Sequence, residues 1–196
     1  MKCNSKLKII SKNLILVPYM EKHVPKYHEW MQSEELQKLT ASERLTLCQE
    51  YDMQKSWRED EDKCTFIILD RRKYELHNDE IDSMIGDTNI FITDKDIGQG
   101  EIEIMLAEES ARGKKLGQEA VTIMLLYGIE SINLKRYEAK ISLTNEISFK
   151  MFKKLGFEEE SRSLVFQEIT LARNVTEEWV ISLKAQYPYT VQDYIM

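Results

Sequence analysis

Three cysteines, at positions 3, 48 and 64, are too few and too irregularly spaced for a disulfide framework or a zinc site. A reducing compartment is the natural setting. No stretch approaches the roughly 20 consecutive apolar residues that cross a bilayer. The opening Met1-Lys2-Cys3-Asn4 has no apolar signal core and no glycine at position 2 for myristoylation. The closing Asp193-Tyr194-Ile195-Met196 is no lipidation or retention signal. A cytoplasmic location is therefore expected, with the nucleus left open and no membrane partner. Basic side chains are outnumbered, 27 against 34, for a net charge of −7. Duplexes and anionic lipids are bound by neutralising phosphates, so this balance argues against nucleic acid. An acidic surface suits a basic partner such as a lysine-bearing or N-terminal peptide. Internal repeats and low-complexity tracts are missing, and only three prolines and seven glycines punctuate the chain.

What remains is ordinary globular material: 42% apolar residues, and 31% charged residues with both signs mixed. A length of 196 residues fits one domain over 1–196, with a core at about 7–171 and a C-terminal helix and tail at 172–196. Residues 8–17 read as a strand or strand pair closed by Pro18, and 64–69 (CTFIIL) as a buried strand. Segments 21–31 and 46–58 have helical spacing, the second with Leu47, Tyr51 and Trp57 on its inner stripe. The charged stretch 70–82 is expected to be an exposed loop. Strands follow at 83–92 and 101–107.

From 116 to 131 the pattern becomes helical, with Leu116, Ala120, Ile123, Met124 and Tyr127 on one face. A strand at 135–142 precedes a second helix at 145–155, where Ile147, Met151 and Leu155 fall four apart. Gly156 is placed for a left-handed helix end. Strand-like residues 157–171, a helix near 174–185 and a tyrosine-rich tail complete a mixed α/β chain.

The segment with chemistry in it is Arg112-Gly113-Lys114-Lys115-Leu116-Gly117, between a strand and an apolar helix. A glycine-bearing turn that opens a helix aims free N–H groups at one point, reinforced by the helix dipole. Three cations stand there against the acidic background, so the turn suits a pyrophosphate. The spacing is neither that of a triphosphate loop nor that of a dinucleotide fingerprint. A plain helix start with solvated lysines is the alternative.

This turn resembles the (Gln/Arg)-x-x-Gly-x-(Gly/Ala) signature of the Gcn5-related N-acetyltransferases (GNAT). Residues 145–157, from Asn145 to Leu155-Gly156-Phe157, resemble that superfamily's second signature. Leu16-Val17-Pro18-Tyr19, Tyr27-His28-Glu29-Trp30-Met31, Thr40-Ala41-Ser42-Glu43, Asp62-Lys63-Cys64-Thr65-Phe66-Ile67 and Val165-Phe166-Gln167-Glu168 are similar to the N-acetyltransferase 9-like branch. The likeness covers most of residues 7–171.

The resemblance implies a mostly antiparallel mixed sheet, splayed between two parallel central strands and flanked by helices. It implies acetyl-CoA as cosubstrate. The pantetheine arm would pair with backbone groups near Met105, Leu106 and Ala107, and the pyrophosphate would lie on Arg112, Gly113, Lys114, Lys115, Leu116 and Gly117. Asn145 would help hold the arm, and Phe152 stands where many members carry the tyrosine that protonates the thiolate. The acceptor would be an amine, a lysine or an N-terminus, of a protein substrate for which the branch makes tubulin and microtubules candidates. A neutral amine must attack, so a base is required. Glu101 and Glu103 alternate with Ile102 and Ile104 and share one strand face. Glu103 is favoured as base because it lies nearer the thioester end; a merely solvated strand face is the alternative.

Lys115 replaces the signature's central glycine. It obstructs binding if the position needs a positive φ, and adds attraction if it needs only a turning N–H. The three histidines, 23, 28 and 77, are scattered, His23 and His28 fall in a helix-like segment with no carboxylate or cysteine at ligand spacing, and no metal is expected. Two further functions stay open: an acetyl-CoA-binding or scaffolding module with weak or no catalysis, and an acyltransferase for a small amine.

Overall fold

The computed structural model describes residues 4–195. Cys3, the other residues of the amino-terminal Met1–Cys3 and the final Met196 lie outside that range. Nine strands form one sheet: β1 (Leu7–Ile10), β2 (Leu14–Pro18), β3 (Lys63–Asp70), β4 (Met84–Asp94), β5 (Gln99–Leu106), β6 (Arg136–Ser142), β7 (Glu158–Ser163), β8 (Glu168–Asn174) and β9 (Thr190–Asp193). Their order across the sheet is β7-β8-β6-β5-β4-β3-β2-β1-β9. Every neighbouring pair for which a register is defined is antiparallel except β5 and β6.

Helices cover both faces. α1 (Val24–Trp30), α2 (Glu34–Leu39), α3 (Leu47–Glu59) and α4 (Arg71–His77) precede β4. α5 (Leu116–Ser131), α6 (Glu146–Lys154) and α7 (Glu177–Gln186) follow β5. Strand alternation sends Phe66 and Ile68 of β3 to the α5 side, and Ile67 and Leu69 to the α1 side. Two apolar cores result. One joins α5, Phe152, Phe157 and Trp179 to the sheet; the other gathers Tyr19, Tyr27, Trp30 and Leu36 over the opposite face.

Local chemistry explains most boundaries. Thr46 and Gln49 form a reciprocal capping box at the start of α3. Gly156, at φ 88°, ends α6 in the left-handed region.

Several expectations are corrected. Residues 70–82 are not a loop throughout, because Asp70 caps α4 by accepting from Lys73 N–H at 3.0 Å, and Asn78 closes it with φ 51°. α4 buries no residue, so no apolar stripe could betray it. On α3 Leu47 is exposed, and the buried positions are the polar Glu50 and Gln54. Ile147 of α6 is likewise exposed, although Leu155 is buried. α5 is apolar almost all round, with Glu119 to Gly128 buried without interruption, rather than on one face. The tyrosine-rich tail supplies β9, which pairs with β1 from Leu7–Asp193 to Ile10–Thr190.

Candidate active site

The parallel seam between β5 and β6 is three pairs long: Gln99–Arg136, Gly100–Tyr137 and Glu101–Glu138. Beyond it the strands separate, and residues 102–106 of β5 pair only with β4. The edge so opened ends at Met105, Leu106 and Ala107. Ala107 N–H is committed to Ile85 O at 2.9 Å. A buried glycine fixes the back of this strand: a Cβ on Gly86 would stand 1.9 Å from Met105 O and 3.1 Å from Leu106 Cα. Both obstacles are backbone, so no side chain fits. Sequence reasoning missed Gly86; a lone glycine inside a strand pattern was the available signal.

A short 3₁₀ turn at Glu109–Ala111 leads from β5 into the glycine-bearing segment. Arg112 N–H is spent on Glu109 O at 3.0 Å. Its guanidinium donates from Nε to Leu106 O at 3.2 Å and pairs with Glu35 of α2 at 3.1 Å. Arg112 thus ties the end of β5 to α2 rather than presenting a free N–H. Gly113 has φ 73° with open space where a Cβ would be. Lys115 is the residue just before α5 and adopts φ 63°, ψ 11°. The position therefore does need a positive φ, and lysine occupies it at a conformational penalty of about 1–2 kcal/mol. Leu116 and Gly117 begin α5, where N–H groups have no helical acceptor. A Cβ on Gly117 would lie 3.3 Å from Leu106 Cδ1, so glycine lets the helix start close against the end of β5.

The start of α5 is anchored from below by Glu119, a buried residue that the sequence did not single out. Its carboxylate accepts from Ser11 Oγ at 2.7 Å, from Asn13 N at 2.9 Å and from Asn13 Nδ2 at 2.7 Å.

Across the gap, Asn145 caps α6 through its carbonyl, accepting from Ser148 N–H at 3.1 Å, so its amide nitrogen is the end left to a ligand. Phe152 is 2% exposed and packs edge-on against Phe157, 5.1 Å between ring centres. It brings no proton donor.

Glu101 and Glu103 stand on the α1 side of β5, one at the last parallel pair and the other two residues into the gap. Glu101 is held by Lys140 Nζ at 2.6 Å. Glu103 reaches solvent, yet the surrounding protein withdraws enough water to raise its pKa. Lys63 opposes that rise, Glu101 adds to it and Lys140 opposes it. Thr88 Oγ1 donates to Glu103 O at 2.8 Å and steadies its backbone. Among the described residues, no group of three or more His, Cys, Asp or Glu side chains is arranged to hold a metal ion. The histidines instead meet acids from distant segments: His23 Nε2 lies 2.5 Å from Glu80, and His28 3.9 Å from Glu50.

An opened parallel pair beside a glycine turn and a long helix start is the arrangement that the sequence signatures implied. The family model for the acetyltransferase (GNAT) domain matches residues 13–158. The chain belongs to the GNAT acetyltransferases. Within this family it is 53% identical over 188 residues to the human alpha/beta-tubulin-N-acetyltransferase 9, covering 92% of this chain and 91% of that protein. It is 52% identical to an N-acetyltransferase 9-like protein of Nematostella vectensis, covering 98% and 100%. Solved GNAT structures share the fold at low identity. The Vibrio cholerae spermidine N-acetyltransferase, in complex with CoA and spermine, has a TM-score of 0.70 at 13% identity, covering 91% of this chain and 99% of that one. RimL, the ribosomal L7/L12 alpha-N-protein acetyltransferase, has a TM-score of 0.72 at 15% identity, covering 86% and 95%. As a GNAT member the protein is an acetyltransferase.

Proposed function

We propose that this acetyltransferase moves an acetyl group from acetyl-CoA to an amine of a protein substrate by direct attack on the thioester. The carrying observation is the end of β5–β6 pairing at Glu101–Glu138, which leaves an unpaired strand edge running into the turn at 112–117. The pantetheine arm adds to that edge as an extra strand through Met105–Ala107. The pyrophosphate sits on the N–H groups of Gly113 to Gly117, where Lys114 and the α5 dipole add positive potential. A backbone N–H near Met105 and Leu106 serves the oxyanion, that of Ala107 being spent on Ile85 O.

Glu103 is the base. It stands inside the gap with a raised pKa, whereas Glu101 is committed to Lys140. The amine nitrogen bonds to the thioester carbon, its proton goes to Glu103, and the carbon–sulfur bond breaks with the electron pair on sulfur. Phe152 offers the sulfur no proton, so water supplies it. The acidic surface favours a basic acceptor segment. The names of the human, mouse and fly relatives make tubulin the first candidate, with either an N-terminus or a lysine as the acetylated amine.

The test measures acetyl-CoA affinity by titration. Turnover is then followed with labelled acetyl-CoA on tubulin and on peptides whose N-terminus or lysine alone is free. Binding with turnover on one peptide class is expected, and Glu103→Gln should lose at least 100-fold in kcat, the general-base range. Turnover that survives Glu103→Gln removes the base assignment. Binding without turnover on any acceptor points to an acetyl-CoA-binding module instead.

A further inference from the structure

Beneath Glu103 the sheet carries polar side chains where a face covered by helices ordinarily carries aliphatic ones. The β4–β5 register sets Asn89 opposite Glu103 and Asp87 opposite Met105. Asp87 is thus the diagonal neighbour of Glu103 on one face, about 7–8 Å away between Cα atoms. Asp87 is 2% exposed. Asn89 Nδ2 donates to its Oδ2 at 2.7 Å, and Thr65 Oγ1 in turn donates to Asn89 Oδ1, which locks the amide's orientation. The other Asp87 oxygen, Oδ1, has no partner among the described residues.

Two more buried atoms in this layer share that condition: the Tyr19 hydroxyl and Glu50 Oε2. The two tyrosines link them to Asp87: the Tyr19 hydroxyl feels the charges of both Glu50 and Asp87, and Tyr27 feels Asp87, Glu50 and Glu103. The charged groups that act on Asp87 are Glu103 on β5 and Lys63 on β3. Tyr19, after β2, and Tyr27 on α1 face Asp87 and also Glu50 on α3, which has His28 behind it. A buried carboxyl with an unpaired oxygen weakens a fold.

We propose that Asp87 is the proton store of the acceptor-side base, receiving from Glu103 the proton that Glu103 removes from the acceptor amine. This rests on Glu103 being that base. With both carboxylates ionised, the nitrogen–carbon bond forms, the carbon–sulfur bond breaks with its pair on sulfur, and the released proton goes to Glu103 and then, carried by water, to the unpartnered Oδ1 of Asp87. Glu103 is charged again when the next acceptor arrives. Asp87 never touches the acceptor; it is a positioning residue acting through Glu103. Burial pushes its carboxyl up to about 7; the Asn89 hydrogen bond opposes the rise, Glu103 adds to it and Lys63 opposes it. Storage and release therefore both fall near neutral pH.

The test uses the full chain, acetyl-CoA and one peptide acceptor, with kcat and kcat/KM measured from pH 5.5 to 9. The wild type should show an ionisation near 7 that Asp87→Asn abolishes. At pH 8 kcat should drop roughly tenfold, less than the roughly 100-fold or more that loss of the base itself costs, while KM for acetyl-CoA stays unchanged. Carboxyl carbon NMR of the unsubstituted protein should show one buried aspartate titrating near 7, and titrating lower in Glu103→Gln once the like charge is gone. An unaltered pH profile in Asp87→Asn, with Glu103→Gln inactive, would overturn the proton store and leave the base assignment standing. Full turnover in Glu103→Gln overturns both. An Asp87 midpoint below 5 in the wild type refutes the store however the variants fold.

Discussion

Replacing Asp87 by asparagine should stabilise the protein at neutral and alkaline pH. In the folded chain the carboxyl titrates at about 7 against an ordinary 3.8, so the native state holds its proton more tightly than the unfolded chain. Below pH 3.8 both states are protonated and the site takes nothing from stability. As pH rises from there to about 7 only the unfolded chain releases the proton, and native stability falls by about 1.4 kcal/mol per unit. Roughly three units separate the two midpoints, so the full loss above pH 7 is about 4 kcal/mol. Asparagine carries no charge, keeps an oxygen for Asn89 Nδ2 and avoids that loss. Urea unfolding at pH 4.5 and pH 8 would compare the two proteins. The variant should gain on the wild type by a few kcal/mol between those pH values. At pH 8 its Tm should be higher by about 2–4 °C for each kcal/mol gained, the scale for a chain of this size. Parallel stability curves across this range would refute the reasoning, because they require Asp87 to titrate alike folded and unfolded.

Lys115→Gly should raise stability by about 1 kcal/mol, since the left-handed φ of 63° is strained for lysine and free for glycine; denaturant titration reads it, and acetyl-CoA affinity should be retained. Gly86→Ala should fail to fold or lose most acetyl-CoA affinity, because the added carbon meets the backbone of Met105 at 1.9 Å; calorimetric titration and circular dichroism separate the two outcomes. Glu80 accepts from Tyr194 Oη at 2.8 Å and pairs with His23 and Lys22, and despite its burial these partners hold its pKa down at about 2. Its stabilisation is present above pH 4.5 and lost as pH falls toward 2, so Glu80→Gln should flatten the acid limb of the stability curve and cost stability at pH 7.

The parts legible in the sequence were those where pattern and chemistry agree locally. β3 and α5 announce themselves by apolar runs, β5 by the alternation of Glu101 and Glu103 with Ile102 and Ile104, and Gly113, Gly117 and Asn145 by their spacing around a helix start. Other parts were illegible for a physical reason. α4 has no buried face, so only its caps, Asp70 and Asn78, mark it. β9 is exposed along its length and owes its strand form to pairing with β1, which no local pattern encodes. Gly86 matters because of a carbonyl on the neighbouring strand, and Asp87 because of orphaned atoms brought by α3 and the Tyr19 segment. His23 was set aside for want of a nearby acid, and its partner Glu80 arrives from 57 residues away.

Three residue pairs are a short weld between the two halves of a nine-stranded sheet. On one side lie β9 and β1 to β5, on the other β6 to β8, and α5 lies across both with Ile123 and Leu126 in the shared core. The angle between the halves is therefore set jointly by this short ladder and by the seating of α5, whose Leu125 O accepts from Tyr137 Oη of β6 at 2.8 Å. Shaving a methyl from the middle of α5, far from any ligand, would let the wedge between β5 and β6 widen or narrow. Grip on the acyl carrier would change although every residue touching it stayed the same.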